Sequence, residues 1–242
     1  MDVDVIDRNA PFIFGGLYLT AQLAVFAIGG GLVLGILLGA ARLSRQPWLY
    51  YPVSAYVHFF RGLPLLLVIF WLYFLIPVIT GRNLNEFAAA VIAFIVYEAA
   101  YFSEIVRAGI QSVSRGQRMA GLSSGLTGVQ TLRHVILPQA LRTMVPSLVT
   151  HSVVIFQDTS LAYVIGLREF LRRVNLVDAR EARSLELYLF AGLVYFILCS
   201  AGTFTGKRLE RMARSWRRSM SGSISFCSYP VASMMIWIMR SK

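Results

Sequence analysis

Any chemistry in this 242-residue chain rests on a few polar side chains set in apolar surroundings. Glu98 lies within "AVIAFIVYEAAYF", and Asp158 lies within "FQDTSLAYV" beside Gln157, Thr159 and Ser160. In a run that crosses a bilayer, a charge at the centre costs roughly 2.5–3.5 kcal/mol and usually faces a bundle interior or cavity. Asp158 and its polar neighbours are therefore read as lining a cavity. For Glu98, a structural hydrogen bond and a cavity lining stand side by side. Glu104 and Arg107 are three residues apart, the spacing of a helical ion pair. Arg61 opens the apolar run "RGLPLLLVIFWLYFLIPVIT" and either lends charge to the interior or snorkels toward lipid phosphates. "GLSSG" fits G-x-S-x-G around Ser123 and, with His134, His151 and Asp158, would suggest a hydrolase. That pattern needs a strand before the serine and a helix after it. Here the setting is helical and arginine-rich, and the order Ser…His…Asp departs from that fold. Neither a catalytic nor a metal-binding residue is expected.

The elements that position these groups follow from composition. The chain is 57% hydrophobic and 14% charged, with mean hydropathy +0.63. A soluble domain carries roughly a quarter charged residues, so much of this surface belongs in lipid. About 20 apolar helical residues cross a bilayer core. The sequence predicts an all-α membrane bundle of five spans. The first is "LYLTAQLAVFAIGGGLVLGILLGA", and the second runs from Arg61 to Thr80 after the aromatic approach "RLSRQPWLYYPVSAYVHFF". The third covers about 87–109, the fourth about 143–166, and the fifth is "LYLFAGLVYFILCSAGTFT". Gly31, Gly35 and Gly39 form a smooth strip against which another helix can pack closely.

The net charge of +11 reflects basic residues at the ends of apolar runs, the pattern that orients a membrane protein rather than one that binds nucleic acid. Arg42 follows the first span. Arg107, Arg115, Arg118, Arg133 and Arg142 fill the polar region before the fourth, and Lys207, Arg208 and Arg211 follow the fifth. These flanks belong on the cytoplasmic side, with the acidic N-terminus outside and the C-terminus inside. The loop "REFLRRVNLVDAREARSLE" opposes this rule with five arginines, although four carboxylates interleave with them. Two cysteines make a disulfide framework unexpected. The start "MDVDVIDRNA" lacks the basic region of a cleavable signal peptide. Residues 15–206 are expected to form the transmembrane domain and 207–242 a basic cytoplasmic tail. The uncharged stretch "SMSGSISFCSYPVASMMIWIM" is serine-rich with a central Tyr-Pro, which favours an interfacial or poorly ordered segment over a sixth span.

One further spacing carries function. A loop pattern of Glu-Ala-Ala, three residues, Gly, nine residues and aliphatic-x-Leu-Pro fails when started at Glu98, because Glu104 stands where glycine is required. Started instead at Met119-Ala120-Gly121, it reaches Gly125 and then Val135-x-Leu137-Pro138 in register. With "HFFRGLPLLLVIFWLYF", "EIVRAGIQSVSRGQ", "LRHVILPQALRTMVPSL" and "FQDTSLAYVI" in order, the chain resembles permease subunits of ATP-binding-cassette importers. More narrowly it resembles the polar amino-acid uptake family, and "LYFLIP", "YEAAYFSEI" and "VIFQDTSL" resemble its glutamate/aspartate subgroup.

The resemblance implies that Met119, Ala120, Gly121, Gly125, Leu137 and Pro138 belong to a coupling loop seated in a groove of a partner ATPase. Gln117 to Ser124 suits one short helix, Gly125 a sharp bend, and Thr127 to His134 another helix; Pro138 suits a helix start. Met119 replaces the family's glutamate, which puts that residue's bracing hydrogen bonds in doubt. The resemblance also implies two ATPase subunits, a second permease (identical or different), an extracytoplasmic solute-binding protein and a bacterial inner membrane whose lipid surrounds the spans. No P-loop pattern occurs, so ATP and Mg are expected on the ATPase and no cofactor on this chain. Arg61, Glu98, Gln157, Asp158, Thr159 and Ser160 are the candidates for the substrate path. An acidic substrate would be repelled by two carboxylates unless they are protonated, paired or engaged with its amino group. A passive channel is the alternative class.

Overall fold

The computed structural model describes residues 4–44 and 46–225, with side chains described through Arg208. Its regular elements are helical throughout the described residues. Helix α1 spans Asp4–Arg42, α2 Pro47–Arg61, α3 Leu65–Thr80 and α4 Glu86–Gln111. Two short helices follow, α5 Arg115–Ser123 and α6 Gly128–Thr131, the latter continuing through one π-type turn into α7, Leu137–Asp158. A 3-10 turn, Thr159–Ile165, leads to α8, Phe170–Glu181, and then to α9, Ser184–Ser225. Helices α1, α4, α7 with its flanking turns, and α9 are each long and apolar enough to cross a membrane, and α2 with α3, bent by 109° at their break, is a fifth candidate when the pair is taken as one span.

Packing contacts fix the relative directions of α1, α4, α7 and α9. Gly31, Gly35 and Gly39 of α1 meet Glu98, Phe102 and Val106 of α4 in the same order, so these helices run parallel. On α9, Gly202 meets Val153 and Gly206 meets Val149, so α7 and α9 are antiparallel. Gly109 near the end of α4 abuts Met144 near the start of α7. The start of α1 and the basic end of α9 therefore lie on opposite faces of the bundle.

The glycine strip brings α1 against α4 without intervening side chains. A Cβ on Gly35 would run into Phe102 and lie 3.1 Å from both the Ala99 carbonyl oxygen and the Ser103 nitrogen. Gly35→Leu is expected to destabilise the chain by about 1–3 kcal/mol or more, the scale of overpacking. Gly29→Leu, where a Cβ meets nothing within 4 Å, should leave the thermal midpoint of the detergent-purified protein unchanged.

Three expectations about element boundaries need correction. The first helix begins at Asp4 rather than at the apolar run. At 39 residues it is about 58 Å long, well beyond a bilayer core of about 30 Å, so its acidic start extends past the lipid. There Val5 and Ile13 pack with Phe170, Val174, Val177 and Leu187. The mixed-charge loop is the second correction, because most of it forms helix α8. Third, the aromatic approach to the second span is itself helix α2, broken from α3 at Gly62–Pro64. Inside a membrane a break leaves backbone groups that need partners. The Tyr97 hydroxyl supplies one by donating to the Leu63 carbonyl at 3.1 Å. Helix α9 continues without interruption past Lys207, where the tail is expected to begin, and residues 226–242, which include most of the serine-rich stretch, lie outside the described residues.

Helix α8 is anchored by a buried acid. Glu169 caps it, accepting from the Leu171 and Arg172 amides at 2.8 and 2.6 Å, and the side chain is fully buried. Thr20 accepts from the Phe170 amide at 3.1 Å, and Arg173 donates to the Phe12 carbonyl at 2.7 Å. Burial pushes the Glu169 carboxyl up to about 7, although the capping amides act in the opposite direction. A raised carboxyl pKa favours the protonated form in the folded state, so stability is greatest below the unfolded value and falls as pH rises through the window from about 4.5 to 7. Thermal unfolding should show a loss on the order of 2–3 kcal/mol between pH 5 and 8. Glu169→Gln should flatten that slope.

Candidate functional site: a cationic groove and an exposed loop

The broken span and the parallel α1–α4 pair bring four charged residues to one end of the bundle. Glu104 accepts from Arg42 of α1 at 2.6 Å and pairs closely with Arg107 on its own helix. Arg61, at the end of α2, approaches the same carboxylate at 3.7 Å. The expected Glu104–Arg107 pair is thus present, enlarged by two arginines from other helices. Arg42 is largely buried, whereas the Arg61 side chain is 38% exposed. Its guanidinium lies over the Tyr101 ring, 5.5 Å from the centroid. Two arginines satisfy Glu104 at close range, and the third retains a face for something else.

That face opens on a groove of about 450 Å³ lined by Arg61, Tyr101, Glu104, Ser147, Thr150, His151 and Val154, among others. The second polar candidate is His151 on α7. Its Nε2 lies 2.7 Å from a Glu98 carboxylate oxygen, while its ring stacks on Tyr101 and meets Phe102 edge-on. Glu98 is 1% exposed, so it stands behind the imidazole rather than in the groove. With Nε2 committed to Glu98, Nδ1 is the nitrogen left for a ligand. Neither carboxylate faces an incoming anion alone: Glu98 is covered by His151, and Glu104 is claimed by arginines.

The other expected path residues do not join this groove. Gln157 lines a second groove, between α7 and α9, with Ser200, Thr203 and Lys207. Thr159 is buried and returns its hydroxyl to the Phe156 carbonyl at 2.6 Å. Asp158 and Ser160 line neither groove. His151 was visible in the sequence only as a member of the hydrolase pattern. Its Glu98 partner is 53 residues away, a separation that no local spacing reveals. Ser123 lies at the end of helix α5, not on the strand-to-helix turn of a nucleophile elbow.

The polar region before α7 adopts the helix–bend–helix form. Gly125 has φ +83°, a left-handed conformation that suits glycine. Thr127 and Gln130 form a reciprocal capping box at the start of α6. Gly121 is buried against Thr131, where a Cβ would lie 2.7 Å from the threonine methyl. Pro138 sits in the first turn of α7. In place of a bracing glutamate at 119, Gln139 donates to the Gln117 side chain at 3.3 Å and to the Val135 carbonyl at 2.9 Å. Met119 is 62% exposed, and Leu122, Val129, Leu132 and Leu137 are also exposed. The literal Glu98-Ala99-Ala100 is fully interior.

A multi-span helical bundle with a polar groove between its spans and an exposed helical loop is the architecture of a membrane permease. The family described as "Binding-protein-dependent transport system inner membrane component" matches residues 31–215, and the chain belongs to it, as an amino-acid permease of the ATP-binding-cassette importers. It is 40% identical to the glutamate/aspartate import permease protein GltK of Escherichia coli O6:H1 over 87% of this chain and 97% of that one. It is 35% identical to the arginine transport system permease protein ArtQ of Bacillus subtilis, over 89% and 98%. Among solved structures, an amino acid ABC transporter with histidines is similar at TM-score 0.83 and 28% identity, covering 88% of this chain and 99% of that one. The MetNI methionine ABC transporter in an inward-facing conformation shares the fold at TM-score 0.66.

Proposed function

We propose that this chain is the transmembrane permease subunit of an ATP-driven importer of acidic amino acids, glutamate and aspartate. The observation that carries this reading is the groove charge. Arg61 presents a guanidinium and His151 a ring nitrogen while Glu98 and Glu104 are already paired. An arginine guanidinium matches a carboxylate in shape as well as charge. Of the two carboxylates expected to repel an acidic substrate, Glu98 is paired with His151, and Asp158 does not line this groove. Relatives of similar identity are named for glutamate/aspartate, arginine and glutamine, so the groove and not overall likeness selects the substrate.

In this reading the end of the bundle holding Arg42, Arg107 and Lys207 is cytoplasmic, in accord with the excess of basic residues there. The start of α1 and helix α8 face outward, toward a solute-binding protein, in a bacterial inner membrane. Met119, Ala120, Gly121, Gly125, Leu137 and Pro138 shape the loop that seats in a partner ATPase, and the exposed Met119, Leu122 and Val129 supply an apolar surface for the seat. ATP and Mg reside on that partner. A second permease completes the path, and ATPase closure is transmitted through the loop to α7.

A mild-detergent pull-down of the tagged chain, with partners identified by mass spectrometry, tests the coupling. Wild type should bring down an ATP-binding subunit. Gly125→Pro, which cannot adopt the observed φ, should recover about tenfold less, equivalent to about 1.4 kcal/mol of docking energy. Equal recovery, or no ATPase under several mild conditions, would remove the coupling reading and favour a passive channel.

A further inference from the structure

The groove between α7 and α9 borders the Arg61 groove along an edge of α7, because Thr150 and Val154 line both. It is about 530 Å³ in volume and is also lined by Gln157, Ser200, Thr203 and Lys207. Its α9 wall is one helical stripe, with Phe196, Ser200, Thr203 and Lys207 at steps of four, three and four residues. Gly206 abuts Val149 and Gly202 abuts Val153, which sets Lys207 near the level of Thr150. Arg61 stands near that level on the other side, since it lines its own groove with the same Thr150. Two cations therefore flank one polar edge of α7 at similar depth.

The side chains of the α7–α9 groove suit water and a polar ligand rather than lipid. Thr150 and Thr203 return their hydroxyls to carbonyls of their own helices, Pro146 at 3.0 Å and Cys199 at 2.8 Å, and so would tolerate hydrocarbon. Gln157 and Lys207 would not. The exposed Gln157 amide meets the Cys199 thiol, a weak partner that leaves most of its donors and acceptors to be filled. Lys207 is exposed as well, and an ammonium has only donors to offer. The two grooves also differ in charge. Glu104 lines the Arg61 groove, whereas no carboxylate lines the α7–α9 groove among the described residues.

We propose that the two grooves form one site for an acidic amino acid, in which Arg61 takes the α-carboxylate and Lys207 the side-chain carboxylate. This rests on the acidic-substrate reading and names the residue that makes the site specific. The charge difference sets the orientation. The α-ammonium of the substrate is offset by Glu104 on the Arg61 side, while the side-chain carboxylate meets a cation and no competing anion on the Lys207 side. Glutamine fills the same length but brings an uncharged amide to Lys207, so only the acid gains the second ion pair. A lysine suits this role, because its ammonium acts as a point charge on a flexible stem and can follow the shorter side chain of aspartate as well as that of glutamate.

Equilibrium binding of labelled glutamate to the purified permease–ATPase complex, competed with unlabelled glutamine, tests this. Omitting the solute-binding protein keeps its own selectivity out of the readout. Wild type should bind glutamate at least about tenfold more tightly than glutamine. Lys207→Gln should weaken glutamate binding about fivefold, the scale of one partly exposed ion pair, and leave glutamine binding unchanged. Lys207→Arg should keep most of the preference. Arg208→Gln, at the neighbouring cation that does not line the groove, should behave as wild type. A wild-type preference that survives Lys207→Gln would overturn this proposal alone. So would an equal loss of glutamate and glutamine binding in that variant, or the same loss of preference in Arg208→Gln. Wild type that binds glutamate no better than glutamine would overturn the acidic-substrate reading and this proposal with it.

Discussion

Replacing Arg61 with glutamine is expected to lower ATP-driven glutamate uptake by roughly 10- to 100-fold, the equivalent of one lost hydrogen bond between charged groups. The fold should survive the change, because Glu104 keeps Arg42 at 2.6 Å and its close pair with Arg107. Arg61→Lys should recover part of the uptake, since an ammonium supplies the charge but not the planar, two-donor face. Uptake by purified complex in proteoliposomes, compared at equal permease content and equal ATPase activity, measures the effect. Unchanged uptake in the glutamine variant would mean that Arg61 serves only the charge network around Glu104.

The largest structural effect is expected at the Glu98–His151 pair. Removing one member of a buried, hydrogen-bonded pair typically costs 3–5 kcal/mol, whereas replacing both with apolar groups is often neutral. Glu98→Leu alone should therefore lower the thermal midpoint sharply, because the His151 Nε2 loses its only partner among the described residues. Adding His151→Leu should restore most of the loss. The double variant should remain folded yet take up little glutamate, because a polar group lining the groove has been removed. Additive destabilisation in the double variant would contradict a direct coupling between the two side chains. The same cycle separates stability from transport, since only the pair's stability should be recovered.

Much of the fold was readable in the sequence because hydrophobic run length and backbone constraints are local. Four of the expected crossings, the α1–α4 glycine strip and the bend at Gly125 all follow from residues near one another in the chain. The loop was also legible in detail, since a positive φ at Gly125 and a helix start at Pro138 depend on residue type. What was missed depends on long-range contacts. Helix α1 begins well before the apolar run because its start is held by α8, more than 150 residues later. Helix α8 itself escaped because its charges concealed an apolar face of Phe170, Val174 and Val177. At the groove, Arg61 was a candidate, but Arg42 and His151 enter only through contacts spanning 62 and 53 residues. Asp158, Thr159 and Ser160 stood out as a polar cluster, yet none of them lines the Arg61 groove, although Asp158 lies near enough to Glu98 and His151 to interact with them electrostatically.

The measurement that tests the central claim most directly is uptake of labelled glutamate by proteoliposomes containing the permease, its co-purified ATPase and its solute-binding protein. Unlabelled glutamate, aspartate, glutamine and arginine would serve as competitors. The account predicts uptake that requires ATP and is suppressed by glutamate and aspartate, with glutamine and arginine at least tenfold weaker, about 1.4 kcal/mol of discrimination. Uptake that proceeds without ATP, or that arginine or glutamine suppresses as well as glutamate does, would contradict it.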